Sequence, residues 1–227
     1  MAFQPIVRLS SREVFAHEAL VRGQGGESAS EVFDHVNAET RYQFDQACRV
    51  KAIELASRLG VPGYVSINFM PNAVYRPELC IRTTLEAART YDFPVDRIIF
   101  EFTEGEHVDD HAHVRGIVQH YQQQGFLTAI DDFGAGYSGL NLLANVSTDL
   151  LKLDMALVRG VHADPRRQAI LRRVMQLCSD LAVQVIAEGV ESPDELRCLQ
   201  DMGIDLFQGF LFCEPAFEAL PQVRWPG

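Results

Sequence analysis

Strand-length apolar runs alternate with longer amphipathic stretches almost throughout this chain. Runs at 64–69 (YVSINF), 98–103 (IIFEFT), 126–131 (FLTAID), 149–153 (DLLKL), 183–188 (VQVIAE) and 204–208 (IDLFQ) have the length and apolar content of buried strands. Helices are predicted between them near 77–91, 110–124, 165–181 and 192–202, and a longer one over 40–59. The helix at 192–202 has Ser192 as its cap, Pro193 at its first position and Glu195 three residues past the cap. Ser28 and Glu31 repeat that capping pattern ahead of Val32 and Phe33. On 165–181, the 3.6-residue period places Ile170, Val174, Leu177 and Leu181 on one face. Residues 2–8 and 13–21 read as two extended segments joined around Ser10 and Ser11, so the chain is expected to open with a hairpin. This series predicts βα units around a parallel sheet, and their number favours a closed barrel. An open doubly wound sheet is the other arrangement that periodicity permits. No linker-like composition interrupts the series, so one domain is expected over 1–227.

The strand tips break the apolar pattern. Asn68 lies in the first of these strands, Glu101 and Thr103 in the next, and Asp131 closes the third. Lys152 and Asp154 follow at 149–154, Glu188 ends the next strand and Gln208 the last. Side chains alternate along a strand, so Glu101 and Thr103 share a face, as do Lys152 and Asp154. In a parallel barrel such tips converge on one mouth, where active sites of that fold lie. Asp131 is followed at once by Asp132 and then by the glycine-rich Phe133-Gly134-Ala135-Gly136. Adjacent carboxylates repel and resist ionisation when partly buried, a difficulty that a divalent cation removes. Carboxylates with an amide oxygen and no thiolate suit Mg²⁺ or Mn²⁺ better than zinc. The residues therefore point to a metal-dependent barrel enzyme without identifying its substrate.

Composition narrows the partners. With 20 Lys and Arg against 31 Asp and Glu, the formal charge of −11 disfavours a broad nucleic-acid surface, so no DNA or RNA duplex partner is expected. A small anionic ligand held through cations remains compatible with that charge. The five cysteines are scattered and form no C-x-x-C pair, which suits reduced thiols. No apolar run reaches membrane-span length and the start lacks a signal-peptide pattern, so a cytoplasmic protein is expected. His107, His111 and His113 cluster in a polar helix start and are read as solvent-facing.

A set of ordered motifs resembles one family. His17-Glu18-Ala19-Leu20-Val21-Arg22, Asn68, Glu101-Phe102-Thr103-Glu104, Asp131 to Ser138, Lys152-Leu153-Asp154, Ala187-Glu188-Gly189-Val190-Glu191 and Gln208-Gly209 resemble the EAL-domain cyclic di-GMP phosphodiesterases of bacteria. The resemblance runs from Gln4-Pro5 to about Pro215. It implies a modified (β/α)8 TIM-type barrel with an antiparallel first strand, and hydrolysis of cyclic di-GMP to linear pGpG with two Mg²⁺ or Mn²⁺ ions. By that pattern Glu18, Asn68, Glu101 and Asp131 hold one ion, and Asp131, Asp132 and Glu188 the second. Lys152 positions the attacking water or helps to deprotonate it, and Gln208 joins the same network. Arg22 meets a substrate phosphate, while Gln4 and Leu20 line the groove. Glu104 anchors the loop after Asp132, and Asp154 and Glu191 support the substrate-binding groups from behind. The resemblance also suggests a homodimer near helix 165–181 and an upstream sensory domain. Gly23 after Arg22, His17 before Glu18 and Phe69-Met70 after Asn68 depart from common family residues but spare every expected ligand. A non-catalytic cyclic di-GMP receptor and a barrel phosphohydrolase for another nucleotide are the competing functions.

Overall fold

The computed structural model describes residues 1–103, 111–136 and 139–226. Glu104, His107, Tyr137 and Ser138 therefore lie outside the described residues. The chain opens with β1 (Ala2–Arg8) and β2 (Glu13–Leu20), then α1 (Ala29–Phe33) and α2 (Arg41–Leu59). It continues through β3 (Tyr64–Asn68), α3 (Pro77–Thr90), β4 (Ile98–Thr103), α4 (His111–Gln123) and β5 (Leu127–Phe133). Next come α5 (Gly139–Asn145), β6 (Leu150–Leu153), α6 (Met155–Val158), α7 (Pro165–Asp180) and β7 (Gln184–Ala187). The chain finishes with α8 (Pro193–Gln200), β8 (Leu206–Phe207) and β9 (Ala216–Phe217).

The sheet closes. Strands β2 to β8 lie side by side in sequence order and parallel, and β1 completes the circle by pairing antiparallel with both β2 and β8. A tight hairpin suffices for the β1–β2 pair, whereas every parallel pair needs a crossover. Each expected strand and long helix is present, and both capping boxes form: Ser28 with Glu31, and Ser192 with Glu195. The open sheet is thus excluded. Two short helices, α5 and α6, went unforeseen because each is too brief to show a period. The buried face of α7 is Leu171, Val174 and Cys178, while Ile170 and Leu181 are about half exposed. Val174 of the expected stripe is buried and Leu177 packs partly on the core, but Leu171 and Cys178 complete the inward face in place of Ile170 and Leu181.

Between strands and helices the core is largely aromatic around one cation. Arg49 of α2 is fully buried, with its guanidinium 5.3, 5.0 and 5.7 Å from the rings of Phe69, Phe100 and Tyr121. It donates to the Tyr121 hydroxyl at 2.8 Å and pairs with Asp45 at 2.7 Å. The other Asp45 oxygen accepts the Met70 N–H at 3.0 Å, so the pair ties α2 to the turn that follows β3. Removing one partner of such a pair leaves a buried, uncompensated charge. Arg49→Met, which keeps most of the volume, is expected to cost about 3 kcal/mol in urea unfolding. A loss below about 1 kcal/mol would show that the pair does not hold this layer together.

Candidate metal centre

The inward face of the barrel is layered by the two-residue strand period. Ile6, Ala16, Ile99, Ala129, Leu150, Ile186 and Leu206 form one buried apolar cluster across it. Two residues further along the parallel strands stand Glu18, Glu101, Asp131, Lys152, Glu188 and Gln208. On β1, which runs the other way, the step is reversed, and Gln4 lies two residues before Ile6, opposite Glu18 in the pairing. A polar storey thus sits directly on an apolar one at the mouth.

Lys152 is the hub of that storey. Its Nζ lies 2.7 Å from Glu188 Oε1, 3.0 Å from Glu101 Oε2, 3.0 Å from Asp131 Oδ1 and 3.2 Å from Glu18 Oε2. Gln208 donates to Glu18 Oε2 at 2.8 Å and to Gln4 Oε1 at 3.2 Å, and Gln4 in turn donates to the Cys213 carbonyl. Asn68 donates its amide N–H to Glu18 Oε1 at 3.0 Å. Burial opposes the Lys152 charge, yet the carboxylates of Asp131, Glu101, Glu18 and Glu188 outweigh it and hold the ammonium well above its ordinary range. Burial pushes the Glu101 carboxyl up to about 8 and the Glu188 carboxyl well above the usual range. Burial, then the neighbouring Asp131, lifts Asp132 to about 6.

Asp132 enters the cluster by a backbone irregularity. Strict alternation would send it to the face opposite Asp131. Strand β5 instead extends to Phe133, two residues beyond the expected end, and its pairing with β6 slips between Ile130 and Phe133. Asp132 sits there with φ at 54°, a left-handed conformation that Asp tolerates better than most residues. Its N–H donates to Asp131 Oδ1 at 2.9 Å.

Two groups of possible metal donors result among the described residues, Glu18–Glu101–Asp131 and Asp131–Asp132–Glu188, each with carboxylate oxygens within 4.8 Å of one another. Asp131 is common to both. Glu101 Oε1 is buried without a hydrogen-bond partner, an acceptor that a cation would satisfy. The donor set of carboxylates and an amide fits a hard divalent ion. Leu20 and Thr103 line a cavity of about 700 Å³ beside Asn68, walled by the apolar Phe33, Val36 and Phe44. That α1–α2 wall was legible only as a capping box and a helix start. Arg22 lines a second cavity, of about 470 Å³, with Phe210, Pro215 and Phe217. Asp154 caps α6 by accepting the Ala156 N–H, and Glu191 pairs with Arg159 on the exposed side, so neither joins the Lys152 cluster. His113 lies 2.7 Å from the Val74 carbonyl, and no histidine belongs to either donor group. All five cysteines are free thiols.

Fold and site together define a mixed α/β barrel with paired acidic donor clusters at its mouth. Residues 1–215 match the EAL domain family, and the chain belongs to it. It is 32% identical over 227 residues to the "Blue light- and temperature-regulated antirepressor BluF" of Escherichia coli, spanning 99% of this chain and 56% of that protein. It is 39% identical over 132 residues to the "Cyclic di-GMP phosphodiesterase PdeR" of the same species, spanning 58% of this chain and 19% of that protein. The chain therefore covers only part of the length of these curated relatives. Among solved structures, a c-di-GMP-bound standalone EAL protein from Vibrio cholerae O395 superposes with a TM-score of 0.96 at 56% identity, covering 99% of this chain and 94% of that one. The manganese/cy-diGMP complex of Klebsiella pneumoniae BlrP1 superposes with a TM-score of 0.93 at 36% identity, covering 99% of this chain and 57% of that one. Among the described residues, no helix is long and apolar enough to cross a membrane.

The raised carboxyls set a pH test on the metal-free protein. Asp132 and Glu101 hold protons more tightly folded than unfolded, so their contribution to stability is full below their ordinary values of 3.8 and 4.5 and is lost as pH rises through about 6 and 8. The melting temperature of metal-free protein is expected to fall from pH 5 to pH 8.5, less steeply in Glu101→Gln. Mn²⁺ is expected to raise it more at pH 8 than at pH 5, because a cation stabilises the ionised carboxylates. An equal or larger Mn²⁺ effect at pH 5 would contradict the carboxylate assignment.

Proposed function

We propose that this chain is a cyclic di-GMP phosphodiesterase that opens one phosphodiester to give linear pGpG. The observation that carries this reading is the Lys152 ammonium paired with four carboxylates which, together with Asp132, make up two donor groups sharing Asp131. Five carboxylates (Glu18, Glu101, Asp131, Asp132 and Glu188) against one ammonium leave four formal negative charges, the charge of two divalent cations. Such a mouth repels a dianionic substrate until that charge is balanced.

In this reading Glu18, Asn68, Glu101 and Asp131 hold one Mg²⁺ or Mn²⁺, and Asp131, Asp132 and Glu188 hold the other. Two divalent ions held there would supply the charge that lowers a water's pKa and offsets the negative phosphate oxygens of an in-line displacement. Net, water adds across the P–O3′ bond, its OH to phosphorus and its H to O3′. Lys152, held protonated by its neighbours, serves as an N–H donor that orients the water. Gln208 fixes Glu18 through their 2.8 Å hydrogen bond, and Gln4 lies behind Gln208. In this reading Arg22, which lines the cavity beside Phe210, meets a substrate phosphate, and Leu20, which lines the larger cavity, borders the substrate groove. The manganese/cy-diGMP complex of BlrP1 and the name of PdeR support both the ions and the substrate. One specific observation favours a second reading, a cyclic di-GMP receptor that does not cut: BluF is named an antirepressor. The complete carboxylate and lysine set argues for the enzyme. The same reading takes residues 1–227 as one domain.

The expected result is turnover of cyclic di-GMP to pGpG with Mn²⁺ or Mg²⁺, and none with excess chelator. Asp131→Asn and Lys152→Met are each expected to lower kcat by about 10²–10⁴-fold while the fold is retained. Tight binding of cyclic di-GMP by the wild-type chain with no pGpG formed would leave the receptor reading instead.

A further inference from the structure

The family match ends at residue 215, yet the chain beyond it is built into the barrel and into one wall of the cavity that Arg22 lines. Strand β9 pairs antiparallel with β1, Ala2 opposite Phe217 and Phe3 opposite Ala216, on the edge that β8 leaves open. Glu218 donates its N–H to the Met1 carbonyl at 2.9 Å, and its carboxylate pairs with Arg58 of α2 at 2.9 Å. Leu220, Val223 and Trp225 pack against the outer core, and Arg12 donates to the Pro226 carbonyl at 3.3 Å. Apolar side chains therefore fix this segment, and polar contacts set its register.

Arg224 then reaches the loop that follows β8. Its backbone N–H donates to the Phe212 carbonyl at 2.9 Å, and its guanidinium donates to the Phe210 carbonyl at 2.6 Å. That loop starts at Gln208, which holds Glu18, and reaches Cys213, whose carbonyl accepts from Gln4. Phe210, half exposed, walls the cavity that contains Arg22, and Phe217 of β9 walls it too. Gly209 lies against the backbone of Val190, where a Cβ would come within 2.1 Å of the Val190 carbonyl oxygen. The loop is thus bounded by Val190 at Gly209, by Gln4 and Gln208 on the barrel side, and by Arg224 at its two carbonyls.

We propose that residues 216–226 are a working part of the site, and that Arg224 is a positioning residue that holds the 208–213 loop and so sets substrate affinity, not the chemical step. The proposal rests on the phosphodiesterase reading for its substrate. It adds to that reading a wall and a clamp from outside the matched family region.

Two measurements on Arg224→Ala test it. Amide exchange in metal-free protein is expected to rise about fivefold at 209–213 and to stay unchanged in β4 and β5, as expected for the loss of one charged hydrogen bond. KM for cyclic di-GMP is expected to rise about fivefold with kcat within twofold, and Arg224→Lys, which keeps a donor, to recover part of both effects. Unchanged exchange at 209–213 would overturn the clamp, and raised exchange with unchanged KM would overturn the positioning role. Should Arg224→Ala fail to fold, Arg224→Lys is read by the same two criteria with a smaller expected change. The exchange arm needs no ligand, so it decides the clamp even if the wild-type chain leaves cyclic di-GMP uncut, a result that would overturn the functional reading instead.

Discussion

One buried ammonium makes the mouth of this barrel possible. Lys152 is 1% exposed and touches four carboxylates that would otherwise face one another across a few ångströms of low-dielectric interior. At such separations like charges cannot all stay ionised without a counter-charge. A single cation satisfies only part of the demand. The remainder appears as raised carboxyls at Glu101, Asp132 and Glu188, whose burial makes each give up its proton less readily than an ordinary carboxyl. This is the electrostatic state of a site prepared for more positive charge than the protein itself supplies. Stability alone would favour apolar residues of the same volume.

The barrel delivers these groups together by counting alone. Once Ile99, Ala129, Leu150, Ile186 and Leu206 pack as one apolar layer, the residues two further on are forced into a common layer above. The antiparallel β1 obeys the same count in reverse, which is why Gln4 near the start of the chain meets Gln208 near its end at 3.2 Å. The outer core keeps this register. Arg49 gathers Phe69, Phe100 and Tyr121 around its guanidinium, and through Asp45 it holds the Met70 N–H two residues after Asn68. Hence a cation buried on the helix side steadies the stretch that carries the Asn68 amide on the barrel side.

What the sequence disclosed follows from which interactions are periodic. Glu101, Asp131, Lys152, Glu188 and Gln208 were readable because each interrupts an apolar strand at its tip, and strand alternation then carries them to one face. The resemblance to the EAL domains assigned roles that alternation alone left open. Arg49 was not readable as a core residue: a lone arginine in an amphipathic helix looks like its solvent face, and only the aromatic residues of β4, α4 and the turn after β3 make it otherwise. The face of α7 was read correctly at Val174 but not at Ile170, because Ile170 and Leu171 are equally apolar and composition does not say which turns inward. The short α5 and α6 hold too few residues for any period to emerge.

The adjacent Asp131 and Asp132 show where local geometry overrides pattern. In a regular strand their side chains would point to opposite faces, one into the barrel and one beneath the helices. The slip in the β5–β6 pairing and the positive φ of Asp132 spend one residue on turning the backbone, so that both carboxylates reach the Glu188 side of the mouth. Their environments nevertheless differ. Asp131 stays in register and takes the Lys152 ammonium at 3.0 Å, whereas Asp132 lies past the slip, at the start of the glycine-rich bend. Its carboxyl is raised to about 6, by burial first and by Asp131 next. An irregular, left-handed residue is a poor choice for strand stability, and its retention beside a second acid is explained if both carboxylates must serve the same charge from different sides. On that argument Asp131 is common to both donor groups because it keeps the strand's geometry, and Asp132 joins only one because it breaks it.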